Sequence, residues 1–145
     1  PVMLRELAIS ANRRRSISEN SSKKRVLVYG AGANGAQLIN FTKVGGSKQI
    51  SEFQIIGFLD EHRSFRGRLF GSFRVFGGLE QLGGIVKKER LDGLVVTISN
   101  LQHERWVELI NETKAHGLKL YRWGCDQDFH LVERALNESE DPIES

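Results

Sequence analysis

A glycine-rich stretch placed directly after a short apolar run constrains the fold of this chain more than any other feature. The apolar run at 26–29 reads VLVY, and the stretch at 30–35 reads GAGANG. An apolar strand that runs into G-x-G-x-x-G and then into a helix is typical of dinucleotide-binding proteins. Gly30 permits a tight turn, Gly32 lets the backbone approach a pyrophosphate, and Gly35 lets the helix pack closely on the strand. The sequence therefore predicts a turn whose helix N-terminus holds a phosphate group.

A second apolar run ends in an acidic residue. Residues 54–60 read QIIGFLD and predict a buried strand with Asp60 at its carboxyl end. A carboxylate there accepts hydrogen bonds from the adenosine ribose and repels a 2′-phosphate, so the pattern favours NAD over NADP. Asp60 lies about 25 residues beyond Gly35, against roughly 20 in the usual spacing, and a loop at 45–49 accounts for the difference. Two alternatives stay open: Asp60 caps the following turn, or the glycine turn binds no ligand.

The centre of the chain alternates strand and helix patterns. Helices are predicted at 33–44, 79–90 and 101–115, further strands at 74–76, 94–98 and 118–123, and a loop at 61–73. Such alternation implies right-handed crossovers and a parallel sheet. We therefore predict an α/β fold, a Rossmann-like open parallel sheet of about five strands in the order 3-2-1-4-5, with helices on both faces.

The candidate binding residues share one edge of this sheet. In a Rossmann-like sheet the ligand lies across the carboxyl ends of the strands, where the strand order reverses. The residues predicted there to bind a cofactor are Gly30, Ala31, Gly32, Ala33, Asn34, Gly35, Asp60, Thr97 and Ser99. Ser99 and Asn100 have two possible roles, contact with the far half of a dinucleotide and capping of the next helix. We expect capping to be their main role.

The chain lacks a recognisable catalytic pair. The short-chain dehydrogenase reaction uses a tyrosine with a lysine four residues later, which lowers the pKa of the phenol. Here Tyr29 is followed at that distance by Ala33. Tyr121 is followed by Cys125. The four histidines and the single cysteine do not show metal-ligand spacing. No catalytic and no metal-binding residue is assigned, which favours a binding domain and leaves enzymatic activity open.

Composition predicts one soluble domain with charged ends. At 145 residues the chain has the length of a single domain. Its net charge of +3 is too mild to indicate nucleic acid, and one cysteine excludes an internal disulfide. We predict a basic arm or linker at 1–24, a dinucleotide-binding domain at 25–129 and an acidic tail at 130–145. No apolar stretch approaches the roughly 18 residues of a membrane span, and we expect a cytoplasmic location.

Four segments together resemble one protein family. They are 25–32 (RVLVYGAG), 56–61 (IGFLDE), 66–67 (RG) and 73–77 (FRVFG). The chain resembles the small Rossmann domain, often labelled CoA-binding, of membrane-associated bacterial polysaccharide-biosynthesis proteins. These include nucleotide-sugar 4,6-dehydratases, epimerases and dehydrogenases. The resemblance covers about Lys24 to Phe129, and some sugar acyltransferases and lipid-linked sugar transferases share the same motifs.

The resemblance implies roles for particular residues and a cellular setting. It assigns Gly30, Gly32 and Gly35 to the pyrophosphate and Asp60 to the ribose. In fuller family members membrane helices precede this domain and a catalytic domain follows it. The chain would then lie at the cytoplasmic face of the inner membrane, held there by a segment outside residues 1–145. It departs from the family at His62, where the family often continues acidic, and it contains no catalytic domain.

Several functions remain open at this point. The first is an NAD(H)-binding module of a protein that modifies nucleotide sugars for polysaccharide synthesis. The second is an NAD-dependent nucleotide-sugar dehydrogenase or epimerase, or a fragment of one. A CoA site is less favoured because Asp60 offers nothing to the 3′-phosphate of CoA, and a pure interaction domain is the last alternative. Expected partners are an adenine dinucleotide, a nucleotide sugar or catalytic domain, and a second copy of the chain.

Overall fold

The computed structural model describes residues 23–44, 52–124 and 129–132. Most of the predicted arm and tail therefore lie outside the described residues. The described parts hold seven strands, three α-helices and two short 3-10 helices. In chain order they are β1 (Lys24–Tyr29), α1 (Ala33–Lys43), β2 (Phe53–Leu59), a 3-10 helix (Arg63–Phe65), β3 (Leu69–Phe70), β4 (Phe73–Gly77), a 3-10 helix (Leu79–Gln81), α2 (Leu82–Lys88), β5 (Gly93–Val96), α3 (His103–Ala115), β6 (Lys119–Trp123) and β7 (Phe129–Leu131).

The strands form one sheet in the order β3-β4-β2-β1-β5-β6-β7. Its five central strands, β4-β2-β1-β5-β6, are all parallel and reproduce the predicted order 3-2-1-4-5. The α/β Rossmann-like fold is therefore confirmed. The sheet is wider than predicted because β3 and β7 add antiparallel strands at its two edges. β3 lies inside the predicted loop at 61–73 and pairs with β4 around Gly71, whose φ of +64° suits glycine in a tight turn.

Strand β1 lies at the centre of the sheet, and both of its faces are buried. Val26 and Val28 face the side covered by α1, where they share a core with Leu38. Leu27 and Tyr29 face the side covered by α2 and α3. Side chains alternate across a strand, so an unbroken apolar run fits a strand with helices on both faces. Each fully buried aliphatic side chain contributes about 1.5–3 kcal/mol to this packing.

The helix boundaries differ from the sequence expectation in two places. The helix predicted at 79–90 begins as a 3-10 turn and continues as the short helix α2. Helix α3 begins at His103, with Gln102 in the N-cap position, so Ser99 and Asn100 are not its caps. Its end agrees with the sequence, because Gly117 follows it with a φ of +68°. Among the described helices, none has the length and apolar character that a membrane crossing requires.

Two glycines in different surroundings test the packing of α1 on β1. A Cβ atom at Gly35 would lie 2.5 Å from the carbonyl oxygen of Gly30, whereas one at Gly84 in α2 would have no atom within 4 Å. Gly35→Ala should destabilise the protein by about 1–3 kcal/mol, and Gly84→Ala should be neutral or stabilising by about 0.5–1 kcal/mol. Urea unfolding of the two variants measures both changes. Equal stabilities would contradict the close approach.

Candidate functional site

The glycine turn has the geometry that its sequence predicts. Gly30 has a φ of +119°, and its amide donates to the Leu59 carbonyl at 2.8 Å. A side chain at Gly30 would collide with Thr97 and Ile98. Gly32 is extended, with a φ of −84°, and a Cβ atom there would meet nothing within 4 Å. Gly30 and Gly35 are thus required by the protein's own packing, whereas Gly32 leaves open space above the turn.

Helix α1 presents an uncapped N-terminus to this space. Gly32 occupies the N-cap position and provides no side chain to cap the helix, and the first turn contains no acidic residue. The amides at the start of a helix have no partners within it and carry the positive end of the helix dipole. Backbone groups there can therefore bind an anion.

Asp60 is tied to the glycine turn through the backbone. Its Oδ2 accepts from the Ala31 amide at 2.8 Å, and its Oδ1 accepts from the His62 amide at 2.8 Å. The second bond is the turn-capping role that the sequence left open, so Asp60 holds two loops together. The side chain is half-buried. Each carboxylate oxygen has two lone pairs, so both retain an acceptor position for a ligand.

Residues after β5 form the opposite wall. Asn34 Nδ2 donates to the Thr97 carbonyl at 2.9 Å. The Thr97 hydroxyl, which is buried, lies 3.0 Å from the Gly30 carbonyl and 3.2 Å from that of Tyr29. These contacts fix the glycine turn against the end of β5. Asn34 and Thr97 thus position the site as well as line it.

These elements enclose a cleft of about 240 Å³ at the carboxyl ends of the strands. It is lined by Gly30, Gly32, Ala33, Asn34, Asp60, Thr97, Ile98, Ser99 and Asn100. Seven of the nine predicted cofactor-binding residues are in this lining. The other two, Ala31 and Gly35, are buried and do not line it. Because α3 begins later than expected, the turn at Ser99 and Asn100 faces the cleft.

A larger cavity of about 550 Å³ lies between α2 and α3. No motif in the sequence pointed to this cavity. Its lining contains four carboxylates together with one arginine and one histidine: Glu61, Glu80, Glu108, Glu112, Arg105 and His116. The only sequence feature that could have indicated this second polar site is Glu61, an acidic residue directly after Asp60.

Glu61 is held by a buried tyrosine. Its Oε2 accepts from the Tyr29 hydroxyl at 2.8 Å and from the Leu79 amide at 3.0 Å, and lies 3.6 Å from Arg105 Nη1. Burial, followed by the hydrogen bond to Glu61, raises the pKa of Tyr29 above its ordinary value. Tyr29 therefore stays protonated and acts as a fixed donor to Glu61. A base that exchanges protons near neutral pH needs a lowered pKa instead.

Because of this raised pKa, the free energy of unfolding should decrease as the pH rises into the alkaline range. An unfolded tyrosine ionises near pH 10, whereas folded Tyr29 keeps its proton to higher pH, so its contribution is complete below about pH 10 and declines above it. Tyr29→Phe should cost about 1.5–3 kcal/mol at about pH 8, because the lost hydrogen bond is to a carboxylate. That stability gap to the wild type should shrink by up to about 1.4 kcal/mol per pH unit above about pH 10. Urea unfolding from about pH 8 to about pH 11 measures the gap.

Glu61→Gln supplies the control for this prediction. In its background the hydrogen bond no longer involves a charge, so Tyr29→Phe should cost less at neutral pH. A gap between wild type and Tyr29→Phe that stays constant across the alkaline range would contradict the assignment.

The fold resembles those of solved proteins at low sequence identity. No protein-family profile and no curated protein sequence matches the chain. A UDP-D-quinovosamine 4-dehydrogenase from Vibrio fischeri superposes with a TM-score of 0.64 at 20% identity, covering 77% of this chain and 94% of that one. The Rex-family repressor RSP, solved in complex with β-NADH, superposes with a TM-score of 0.58 at 15% identity, covering 90% of this chain.

This chain covers 56% of the length of the repressor, about half of it. At these identities the comparisons establish the architecture alone. The chain has a Rossmann-like α/β fold, with a mostly parallel open sheet and helices on both faces.

Proposed function

We propose that this chain is a nucleotide-binding domain that holds NAD(H) across the cleft between the glycine turn and Asp60. The observation that carries the proposal is the composition of that cleft. It combines open space at Gly32, an uncapped helix N-terminus and a half-buried carboxylate within one cavity of about 240 Å³. A dinucleotide needs these three features for its pyrophosphate and its adenosine ribose.

Electrostatics favours this cleft over the larger cavity for an anionic ligand. The cleft contains one carboxylate, Asp60, and receives the positive end of the α1 dipole. The larger cavity contains four carboxylates against Arg105 and His116. A pyrophosphate in the larger cavity would meet repulsion from these carboxylates. The smaller cleft is therefore the better phosphate site.

The kind of nucleotide follows from Asp60. Its carboxylate suits the ribose hydroxyls of NAD and repels the 2′-phosphate of NADP. CoA gains nothing from this carboxylate and remains the less favoured ligand. The complex of a Rex-family repressor with β-NADH supports NAD(H) as a ligand for which this architecture is suited.

The wider role rests on the family resemblance. We propose that the domain serves a protein that modifies nucleotide sugars in bacterial polysaccharide biosynthesis, at the cytoplasmic face of the inner membrane. A catalytic partner domain or a second copy of the chain would supply reactive groups. The resemblance of segments 25–32 and 56–61 to that family supports this role.

A second candidate function is enzymatic. This chain covers 94% of the length of the UDP-D-quinovosamine 4-dehydrogenase structure. That observation favours an NAD-dependent nucleotide-sugar oxidoreductase. Against it, Tyr29 is a buried donor to Glu61 and has no lysine four residues later.

Gly32→Val tests the binding site with little cost to the fold. Gly32 is extended and has open space at its Cβ position, so valine meets no clash and should cost only about 1 kcal/mol, as expected for a poorer N-cap residue. It should weaken NAD⁺ and NADH binding more than about tenfold, because its side chain occupies the phosphate space. Calorimetric titration with NAD⁺, NADH, NADP⁺ and CoA measures the affinities.

Two further variants locate the ligand. Asp60→Ala should weaken NAD(H) binding about 10–100-fold, since hydrogen bonds to a charged group contribute about 1.5–3 kcal/mol. Glu61→Gln changes only the neighbouring cavity and should leave the affinity unchanged. Loss of binding in Glu61→Gln but not in Asp60→Ala would reject the cleft. Equal affinity of Gly32→Val and wild type would reject it as well.

The enzymatic candidate has a separate readout. We expect no reduction of NAD⁺ when residues 1–145 are incubated with UDP-linked amino sugars, because neither tyrosine in the sequence is followed by a lysine four residues later. Production of NADH, followed by its absorbance, would establish the oxidoreductase instead. The assay measures NADH production and the calorimetry measures affinity, so either result can be interpreted without the other.

A further inference from the structure

A groove lined mainly by apolar side chains lies beside α3, away from the nucleotide cleft. Its volume is about 360 Å³. The buried side chains Ile110, Leu118 and Leu120 form its floor. Lys114 and Lys119, both exposed, form its charged rim. The groove therefore combines an apolar floor with two positive charges.

The chain itself leads into this groove. Val132 lines it, and the Val132 amide donates to the Leu120 carbonyl at 2.8 Å. Its side chain packs on the core beneath α2 and α3. Leu131, also in the lining, is 40% exposed, one of few large apolar side chains with that exposure in the described residues. Residue 133 and those after it thus continue from the edge of the groove.

The sequence after Val132 matches the groove in chemistry. Residues 133–145 contain five carboxylates, at Glu133, Glu138, Glu140, Asp141 and Glu144. Apolar residues recur at 132, 135, 136 and 143, with the small Ser139 between them. As far as Ser139, ahead of Pro142, this spacing would put the apolar residues on one side of a helix if the segment were helical.

We propose that residues 133–145 occupy this groove in the same molecule. Their apolar side chains would cover the floor formed by Leu118 and Leu120, and their carboxylates would face Lys114 and Lys119. A tethered segment has an effective concentration of the order of millimolar, which favours it over a separate partner. The proposal is independent of nucleotide binding and assigns the acidic end of the chain an intramolecular docking surface.

Disulfide trapping tests the proposal in the full chain. In a Cys125→Ser background, Lys114→Cys is combined with Leu136→Cys, because a disulfide requires Cα atoms about 4.4–6.8 Å apart. The matched control combines Leu136→Cys with Lys43→Cys, an exposed position on α1 at the opposite face of the sheet. Mild oxidation at low protein concentration is followed by mass spectrometry and non-reducing gels.

The expected result is an intramolecular disulfide that forms at least about tenfold faster in the Lys114 pair than in the Lys43 pair. Equal rates in the two pairs would overturn the proposal. A disulfide that forms only between two chains would also overturn it and indicate a second copy as the occupant.

Hydrogen exchange tests the same contact without engineered thiols. Leu136→Asp places a charge on the proposed buried side, whereas Asn137→Asp adds the same charge one residue away. Leu136→Asp should speed exchange of the amides at 118–120 by about fivefold or more, and Asn137→Asp should leave it unchanged. Identical exchange in the two variants would contradict the docking.

Discussion

The close approach of α1 to the end of β1 is the contact on which the rest of the site depends. A methyl group at Gly35 would lie 2.5 Å from the Gly30 carbonyl oxygen, so only glycine allows this distance. The approach brings the N-terminus of α1 over the carboxyl end of the sheet. The Ala31 amide then reaches Asp60, and the Asn34 side chain reaches the Thr97 carbonyl. A single packing contact therefore brings together groups at the carboxyl ends of three strands, β1, β2 and β5.

Two neighbouring cavities at this edge of the molecule differ in electrostatic character. Consecutive residues divide them, because Asp60 faces the glycine cleft and Glu61 faces the cavity between α2 and α3. Tyr29 fixes Glu61 from within the core, and the Ala31 amide fixes Asp60 from the turn. The smaller cleft suits an anion and the larger cavity does not. Cavity size alone would have selected the one that contains four carboxylates.

Much of the fold was predictable because the strong signals are local. The apolar run in β1, the alternation of strands and helices and the glycine turn gave the parallel core and its strand order. β3 and β7 were missed because two or three residues at a sheet edge carry too little pattern to distinguish them from loop. The start of α3 was misplaced because Ser99 and Asn100 favour caps in general, while the turn before Gln102 depends on tertiary packing.

Sequence patterns grouped most of the residues that line the glycine cleft but did not show their contacts. The sheet order brings Thr97 and Ser99 to the glycine turn, so seven of the predicted residues line one cleft. Sequence patterns do not show which groups these side chains contact. The link from Asp60 to the Ala31 amide and the pairing of Tyr29 with Glu61 emerge only when distant segments meet.

The measurement that tests the central claim most directly is an NMR titration of the ¹⁵N-labelled chain with NAD⁺. Binding in the cleft predicts shifts of the amide signals of four residues: Gly32, Ala33, Asn34 and Asp60. The signals of Ser99 and Asn100 should also shift, because the far half of the dinucleotide would contact them. Signals from Glu108 and Glu112 beside the larger cavity should stay in place. Shifts confined to that cavity, or no shifts at millimolar NAD⁺, would contradict the account.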